Sequence, residues 1–147
     1  MYQGEYDCTL DEKNRVVLPS GLRKGKPEAL LKEGFTLVIG RKAQFLELHP
    51  MHEWTKRVDR LQSRYTDDDA EAEEYFRDII SSAFEINLDK NYRFVIPEAR
   101  KKDAGIGREV VFIGMWQRIE IWDKKRWEER RLSRAGKQEL PKRSAEP

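Results

Sequence analysis

Residues 10–19 read LDEKNRVVLP, and residues 88–97 read LDKNYRFVIP. Asp11, Arg15 and Pro19 recur as Asp89, Arg93 and Pro97, each 78 positions on. The match continues outward in the same order. LVIG at 37–40 is answered by VFIG at 111–114, FLEL at 45–48 by RIEI at 118–121, and Trp54 by Trp127. The offset falls from 78 to 73 along the way, so the second copy has shorter loops. Four motifs in one order establish a duplication, which governs every later inference about the fold.

Each copy has a readable plan. A short strand ends at the Asp, and a tight turn spans Asp11 to Arg15. A second strand, Val16 to Leu18, stops at Pro19, which has no N–H to give a ladder. Asn14 is the expected turn residue because Asn tolerates φ > 0, and Asn91 takes that part in the second copy. A short helical segment follows, with Pro27 at its first position and Gly34 at its end. Two strands come next, TLVIG and QFLELHP, joined through Gly40. Met51, Trp54, Val58 and Leu61 then fall on one face of a closing helix. In the second copy Asp123 is the expected N-cap, with Trp127 and Leu132 on the apolar side.

Between the copies the spacing predicts an acidic amphipathic helix. Thr66 and Asp69 form a capping box, and Ala72, Tyr75, Phe76, Ile79, Ile80 and Ala83 form the apolar stripe. The expected organisation is a first repeat over 1–62, a linking helix over 63–84, a second repeat over 85–134 and a disordered basic tail over 135–147.

Composition bounds the function. Of 147 residues, 29 are Lys or Arg and 27 are Asp or Glu, so the formal charge is only +2. Distribution matters more than that sum: residues 67–78 are strongly acidic, and 124–147 carry nine basic residues against four Glu. The single cysteine, Cys8, forbids an intrachain disulfide and reads as a small buried side chain. The N-terminus lacks the basic start and apolar core of a signal peptide. No apolar run approaches the roughly 20 residues that span a bilayer. A soluble, intracellular (cytoplasmic) protein without membrane contact is expected.

With MYQGEY at the start, the doubled turn followed each time by a Pro-terminated strand resembles the MraZ family. The resemblance runs from Met1 to about Trp127. Members of that family are tandem versions of the SpoVT/AbrB-type swapped-hairpin DNA-binding unit. The resemblance implies an α+β fold: a pseudo-twofold swapped-hairpin β-barrel, double-psi or AbrB-like, from two tandem repeats with flanking helices. It also implies homo-oligomeric rings and binding to direct repeats of double-stranded promoter DNA. The expected target is the protein's own division and cell-wall gene cluster, which it would repress. The family turn commonly reads Asp-x-x-Gly-Arg, whereas Asn14 and Tyr92 stand before the arginines here. Asn14 replaces a left-handed glycine easily. Tyr92 does not, and the second turn is expected to differ in shape.

The residues themselves point the same way. A turn between strands projects its side chains outward, and its Asp can accept the turn amides and pair with the Arg. Asp11, Asn14 and Asp89 are therefore the turn-forming residues. Lys13, Arg15, Arg23 and Lys24 form a basic edge suited to bases and phosphates. Arg93, Arg100 and Lys101 form the matching edge of the second copy.

Other readings stand beside these. Arg15 and Arg93 also suit structural ion pairs with Asp11 and Asp89, and Arg100, Lys101 and Lys102 suit a helix C-terminus. A catalytic role for Asp11 and Asp89 is disfavoured because each is explained by its own turn. His49 and His52 read as surface residues and make a poor metal site. Trp54 and Trp127 read as core anchors. No metal, cofactor or small-molecule substrate is expected. The rival function is a scaffolding ring without DNA binding.

Overall fold

The computed structural model of the chain describes residues 1–64 and 68–140. Alternating side chains make β1 (Tyr2–Thr9), which turns Tyr2, Tyr6 and Cys8 toward the core. This strand does not pair with β2 (Arg15–Val17), its neighbour in sequence. It pairs antiparallel along its whole length with β7 (Glu109–Trp116) of the second copy, Tyr2 opposite Trp116 and Thr9 opposite Glu109. The second copy reciprocates, because β5 (Phe84–Ile86) pairs with β3 (Phe35–Ile39) of the first. Likewise β2 pairs with β6 (Arg93–Val95). The chain is thus α+β, with hairpins interlocked between its halves.

Two hairpins make the centre, β3 with β4 (Leu46–Pro50) and β7 with β8 (Ile119–Asp123). They join through β4 and β8, giving a six-stranded antiparallel sheet ordered β1-β7-β8-β4-β3-β5. The β2–β6 ribbon packs over one face. Leu10, Val16, Leu18, Phe94 and Ile96 are buried there against Leu37, Leu46, Leu48, Phe112 and Ile121. At about 25 cal/mol per Å² of apolar surface removed from water, this shared core is what holds the halves together. The expected barrel is not closed by hydrogen bonds: β1 and β5 remain edges of the sheet. The short β5, three residues against eight in β1, does not carry the ladder on to the ribbon.

Gly114 is required where β1 crosses β7, since a Cβ there would lie 2.2 Å from the Gln3 nitrogen. Pro19 and Pro97 precede the equivalent short helices α1 (Ser20–Arg23) and α5 (Glu98–Asp103). A further helix, α2 (Glu28–Lys32), occurs in the first copy only and accounts for most of the shrinking offset. Pro27 is its N-cap rather than its first residue, because its ψ of 141° is extended.

The other face of the sheet carries α3 (Met51–Ser63), α4 (Ala70–Ser82) and α6 (Lys124–Ser133). Asp69 itself caps α4, accepting from the Ala72 N–H at 3.0 Å; Thr66, its expected capping partner, lies outside the described residues. The α4 stripe is only partly covered: Ile79 is buried, while Tyr75 and Ile80 are exposed. Asp123 caps α6 as expected. Leu132 does not reach the core. Residues 128–134 are all exposed, and Leu132 belongs to that uncovered last stretch. Trp127 and Trp54 are half-buried and pack on this outer face, Trp127 against the buried Trp122 and Trp54 against His49. Cys8 is half-buried, and burial pushes its thiol up to about 11.

The two copies meet at Glu47 and Glu120, which face each other across β4 and β8. Both are buried. His49, expected at the surface, is also buried and hydrogen-bonds Glu47 at 2.9 Å. Its position on QFLELHP alternates with Leu46 and Leu48, and the helices cover that second face. Burial raises the Glu47 pKa, but the His49 hydrogen bond and the Arg57 and Arg118 guanidinium groups outweigh it, and the net shift is downward. Burial dominates at Glu120 and raises it, although the Trp122 indole N–H donates to it at 2.9 Å.

Candidate nucleic-acid interface

The two turns are built alike, residue for residue. Asp11 Oδ1 accepts the Lys13 N–H at 2.8 Å and the Arg15 N–H at 2.9 Å, and Oδ2 accepts the Arg15 Nε–H at 2.7 Å. Asp89 accepts the Asn91 and Arg93 N–H groups at 2.8 and 2.9 Å and the Arg93 Nε–H at 3.0 Å. In both, the Asp N–H donates to the Arg carbonyl. Asn14 has φ 61° and Tyr92 has φ 62°. Tyr92, not Asn91, is therefore the left-handed residue of the second turn, and that turn does not differ in shape. The Arg15 N–H bond is the largest cause holding Asp11 down at about 2; Arg93 does the same for Asp89, in the same direction.

Each turn is braced by the other copy. Asn14 donates from Nδ2 to Glu98 at 3.0 Å and accepts from Lys101 Nζ at 2.8 Å. The Arg23 guanidinium lies 4.0 Å from the centre of the Tyr92 ring, and the Tyr92 hydroxyl donates to Glu28 at 3.2 Å. Arg23 and Lys101 are the true repeat equivalents, 78 positions apart. Both clamp the left-handed residue of the opposite turn. Arg23 also donates from Nε to the Leu18 carbonyl. Arg100 is directed elsewhere, to the Ser82 carbonyl at 3.2 Å and Asp103 at 3.4 Å. Lys13 and Lys24 are exposed.

Between the turns lies the outer face of the ribbon. Arg15 stands opposite Val95, and Val17 opposite Arg93. Val16 and Phe94 point into the core, so the other four point out. Val17 and Val95 are 43% and 50% exposed. Two arginines and two valines thus alternate on a narrow two-stranded ribbon, a shape that a DNA major groove about 12 Å wide admits.

Sequence reasoning missed Arg108. It lies in the loop before β7 and lines a small cavity with Asp11, Glu12, Lys13 and Arg15. Leu10 N–H donates to its carbonyl, and its Nε donates to the Leu10 carbonyl at 3.3 Å. No repeat spacing marks it; only the crossing of β1 onto β7 brings it beside the first turn.

An interlocked, duplicated sheet carrying a ribbon between two Asp-clamped turns defines a tandem swapped-hairpin protein. The chain belongs to the MraZ family: the family model described as "MraZ protein, putative antitoxin-like" matches residues 1–75 and 79–144. Proteins called "Transcriptional regulator MraZ" are similar along most of their length. That of Clostridium beijerinckii is 38% identical over 130 residues, covering 88% of this chain and 86% of the relative. That of Clostridium tetani shows the same identity and coverage. That of Acetivibrio thermocellus is 36% identical over 129 residues, covering 87% and 85%.

Proposed function

We propose that the protein is a sequence-specific, DNA-binding transcriptional regulator that touches double-stranded promoter DNA with the β2–β6 ribbon. The observation that carries this reading is the pair of identical Asp-clamped turns presenting Arg15 and Arg93 on one exposed face. The clamps remove the entropy of two long side chains before binding, which favours bidentate contact with guanine or phosphate. Lys13 and Arg108 flank the first turn and, with the exposed Lys24, supply phosphate contacts that set register. Arg23 and Lys101 act by bracing the turns, and Arg100 lies outside the contact.

A net charge of +2 is small for a tight monomeric binder. A homo-oligomeric ring answers this by adding weak contacts through effective concentration, and direct repeats in the DNA match repeated subunits. The reading includes repression of the protein's own division and cell-wall gene cluster, and a place in the cytoplasm at the nucleoid. Catalysis has no support at the carboxylates: Asp11 and Asp89 are saturated by donors, and their lowered pKa values make weak bases. No helix among the described residues is long and apolar enough to cross a membrane.

The test is a titration against the upstream promoter at two salt concentrations. Selective binding that weakens with salt and is lost in Arg15→Ala is expected. Equal affinity in the variant, with assembly unchanged, would refute the assignment. Absence of selective binding by an assembled ring would leave the scaffold reading.

A further inference from the structure

Two cavities adjoin on the helix-covered face of the sheet, opposite the ribbon, and share Arg41 and Tyr75. The smaller, about 410 Å³, is walled by Arg57, Arg118, Glu47 and Glu120 besides those two. The larger, about 500 Å³, runs between α4 and the β3–β4 connection to α5. Its apolar wall is Ile39, Ala43 and Ile79, and Lys42, Asp78, Arg100 and Asp103 add charge around it. Together they have the size and the mixed lining of a site for a small organic molecule.

The smaller cavity suits an anion. The guanidinium groups of Arg41, Arg57 and Arg118 meet the carboxylates of Glu47 and Glu120 there. Both carboxylates are buried; Glu47 lies 3.5 Å from Arg57 and 3.7 Å from Arg118, and Glu120 lies 3.5 Å from Arg118. Arg41 is left over. Neither it nor Lys42 has a side-chain hydrogen-bond or ion-pair partner among the described residues. The buried Nε–H groups of Arg57 and Arg118 also find no acceptor among those residues, so the cluster has more donors than the chain satisfies. Lys42 and Ala43 stand at φ 55° and 54°, left-handed values that cost non-glycine residues energy. They form the turn that sets Arg41 between the cavities. A phosphate monoester, with about two negative charges and several strong acceptor oxygens, matches what Arg41 and Lys42 leave unpaired. Asp78 and Asp103 line the larger cavity only. The anionic end therefore belongs among the arginines, and a body bearing hydroxyl or amino groups lies along Tyr75 toward these acids.

We propose that the joined cavities bind a small organic phosphate and that its presence is relayed through α5 to the first turn. The phosphoryl group sits among Arg41, Arg57 and Arg118, and the body lies in the larger cavity beside Tyr75. The relay rests on the DNA-binding reading above; the site does not. Arg100 reaches the larger cavity from α5 while donating to the Ser82 carbonyl at 3.2 Å and pairing with Asp103 at 3.4 Å. Glu98 and Lys101 of the same six-residue helix hold Asn14 at 3.0 and 2.8 Å. A ligand that draws on Arg100 or Asp103 therefore acts on the helix that fixes the first turn. Such coupling is reciprocal: ligand and DNA change each other's affinity by one factor.

Isothermal titration calorimetry on the full chain, in chloride buffer, tests the site with adenosine 5′-monophosphate, inorganic phosphate and adenosine. The nucleotide is expected to bind, inorganic phosphate to bind about ten-fold more weakly, and adenosine to give no heat. Arg41→Gln alters an exposed side chain with no partner to lose. It is expected to weaken the nucleotide about ten-fold at an unchanged melting temperature. The site is overturned by no nucleotide binding, by equal binding in Arg41→Gln, or by inorganic phosphate binding as tightly as the nucleotide. Operator titrations with and without saturating nucleotide then test the relay, and operator affinity is expected to change about five-fold. Operator affinity that ignores bound nucleotide overturns the relay alone. A protein that binds the nucleotide but no operator overturns the regulator reading and the relay with it, and leaves the site standing.

Discussion

At Asn14 and Tyr92 two unlike side chains hold one backbone conformation, near φ 60°. What imposes it is the aspartate three residues earlier, which gathers two amides and one guanidinium and leaves the intervening residue no choice. Asp11, Arg15, Asp89 and Arg93 were legible in sequence because their contacts are local. Tyr92 was not, because its strain is offset by Arg23 and Glu28, which lie in the other half of the chain. Tyr92→Val is accordingly expected to cost about 2 kcal/mol, since a β-branched residue is poorly tolerated there and the stacking is lost. Urea unfolding at fixed pH measures it, and a Tyr92→Gly variant that loses less isolates the backbone part. For Asp11, the folded-state pKa of about 2 lies below the ordinary value of 3.8. The stabilisation is therefore complete above the unfolded value and is lost as pH falls through the window between them. Asp11→Asn is expected to be less stable at neutral pH and to show a smaller acid-induced loss across that window. Parallel urea titrations would show it, and identical acid limbs would count against the clamp.

Among elements, β4 and β8 carry the most information beyond their side-chain pattern. Glu47 and Glu120 were legible as equivalent positions of the repeat, in FLEL and RIEI, but not as opposite neighbours, because a strand's partner cannot be read from its own alternation. The same blindness placed His49 at the surface. A second sheet face covered by helices buries what period-two alternation marks as outward. Glu120 faces Glu47 from β4, Arg118 from the β7–β8 tip and Trp122 from its own strand, while Arg57 from α3 pairs with Glu47. Its raised pKa means the folded chain holds the proton more tightly than the unfolded one. That contribution is full below the ordinary value of 4.5 and disappears as pH rises through the folded value. Glu120→Gln keeps an acceptor for the indole and removes the charge. It is expected to be more stable than wild type at neutral pH, with the advantage shrinking as pH falls into the ordinary carboxylate range; thermal melts across that fall decide the matter. On the ribbon, Val17 and Val95 suit the methyl groups of thymine. Replacing the contacted thymine by uracil in a bound operator is expected to weaken wild type several-fold and Val17→Ala hardly at all, read by competition binding.

For the molecule as a whole, the interlocking of halves matters more than any single contact. Periodicity established two copies of one unit, and only the family resemblance supplied the exchange of first strands, since nothing local to β1 says that β7 is its partner. Neither half can satisfy itself: β1 lacks a ladder without β7, and β5 lacks one without β3. A chain ending at Ser82 is expected to show no cooperative unfolding transition by circular dichroism, and to regain one when the complementary half is added. Independent folding of the first half would contradict the shared core. The same crossing sets the order of events during synthesis. A nascent chain leaves the ribosome with β1 bare, and no partner exists for Tyr2 until Trp116 has emerged. The protein therefore folds late in translation, with an exposed strand edge as its most vulnerable state, and a neighbouring nascent chain on the same message is the nearest competitor for that edge.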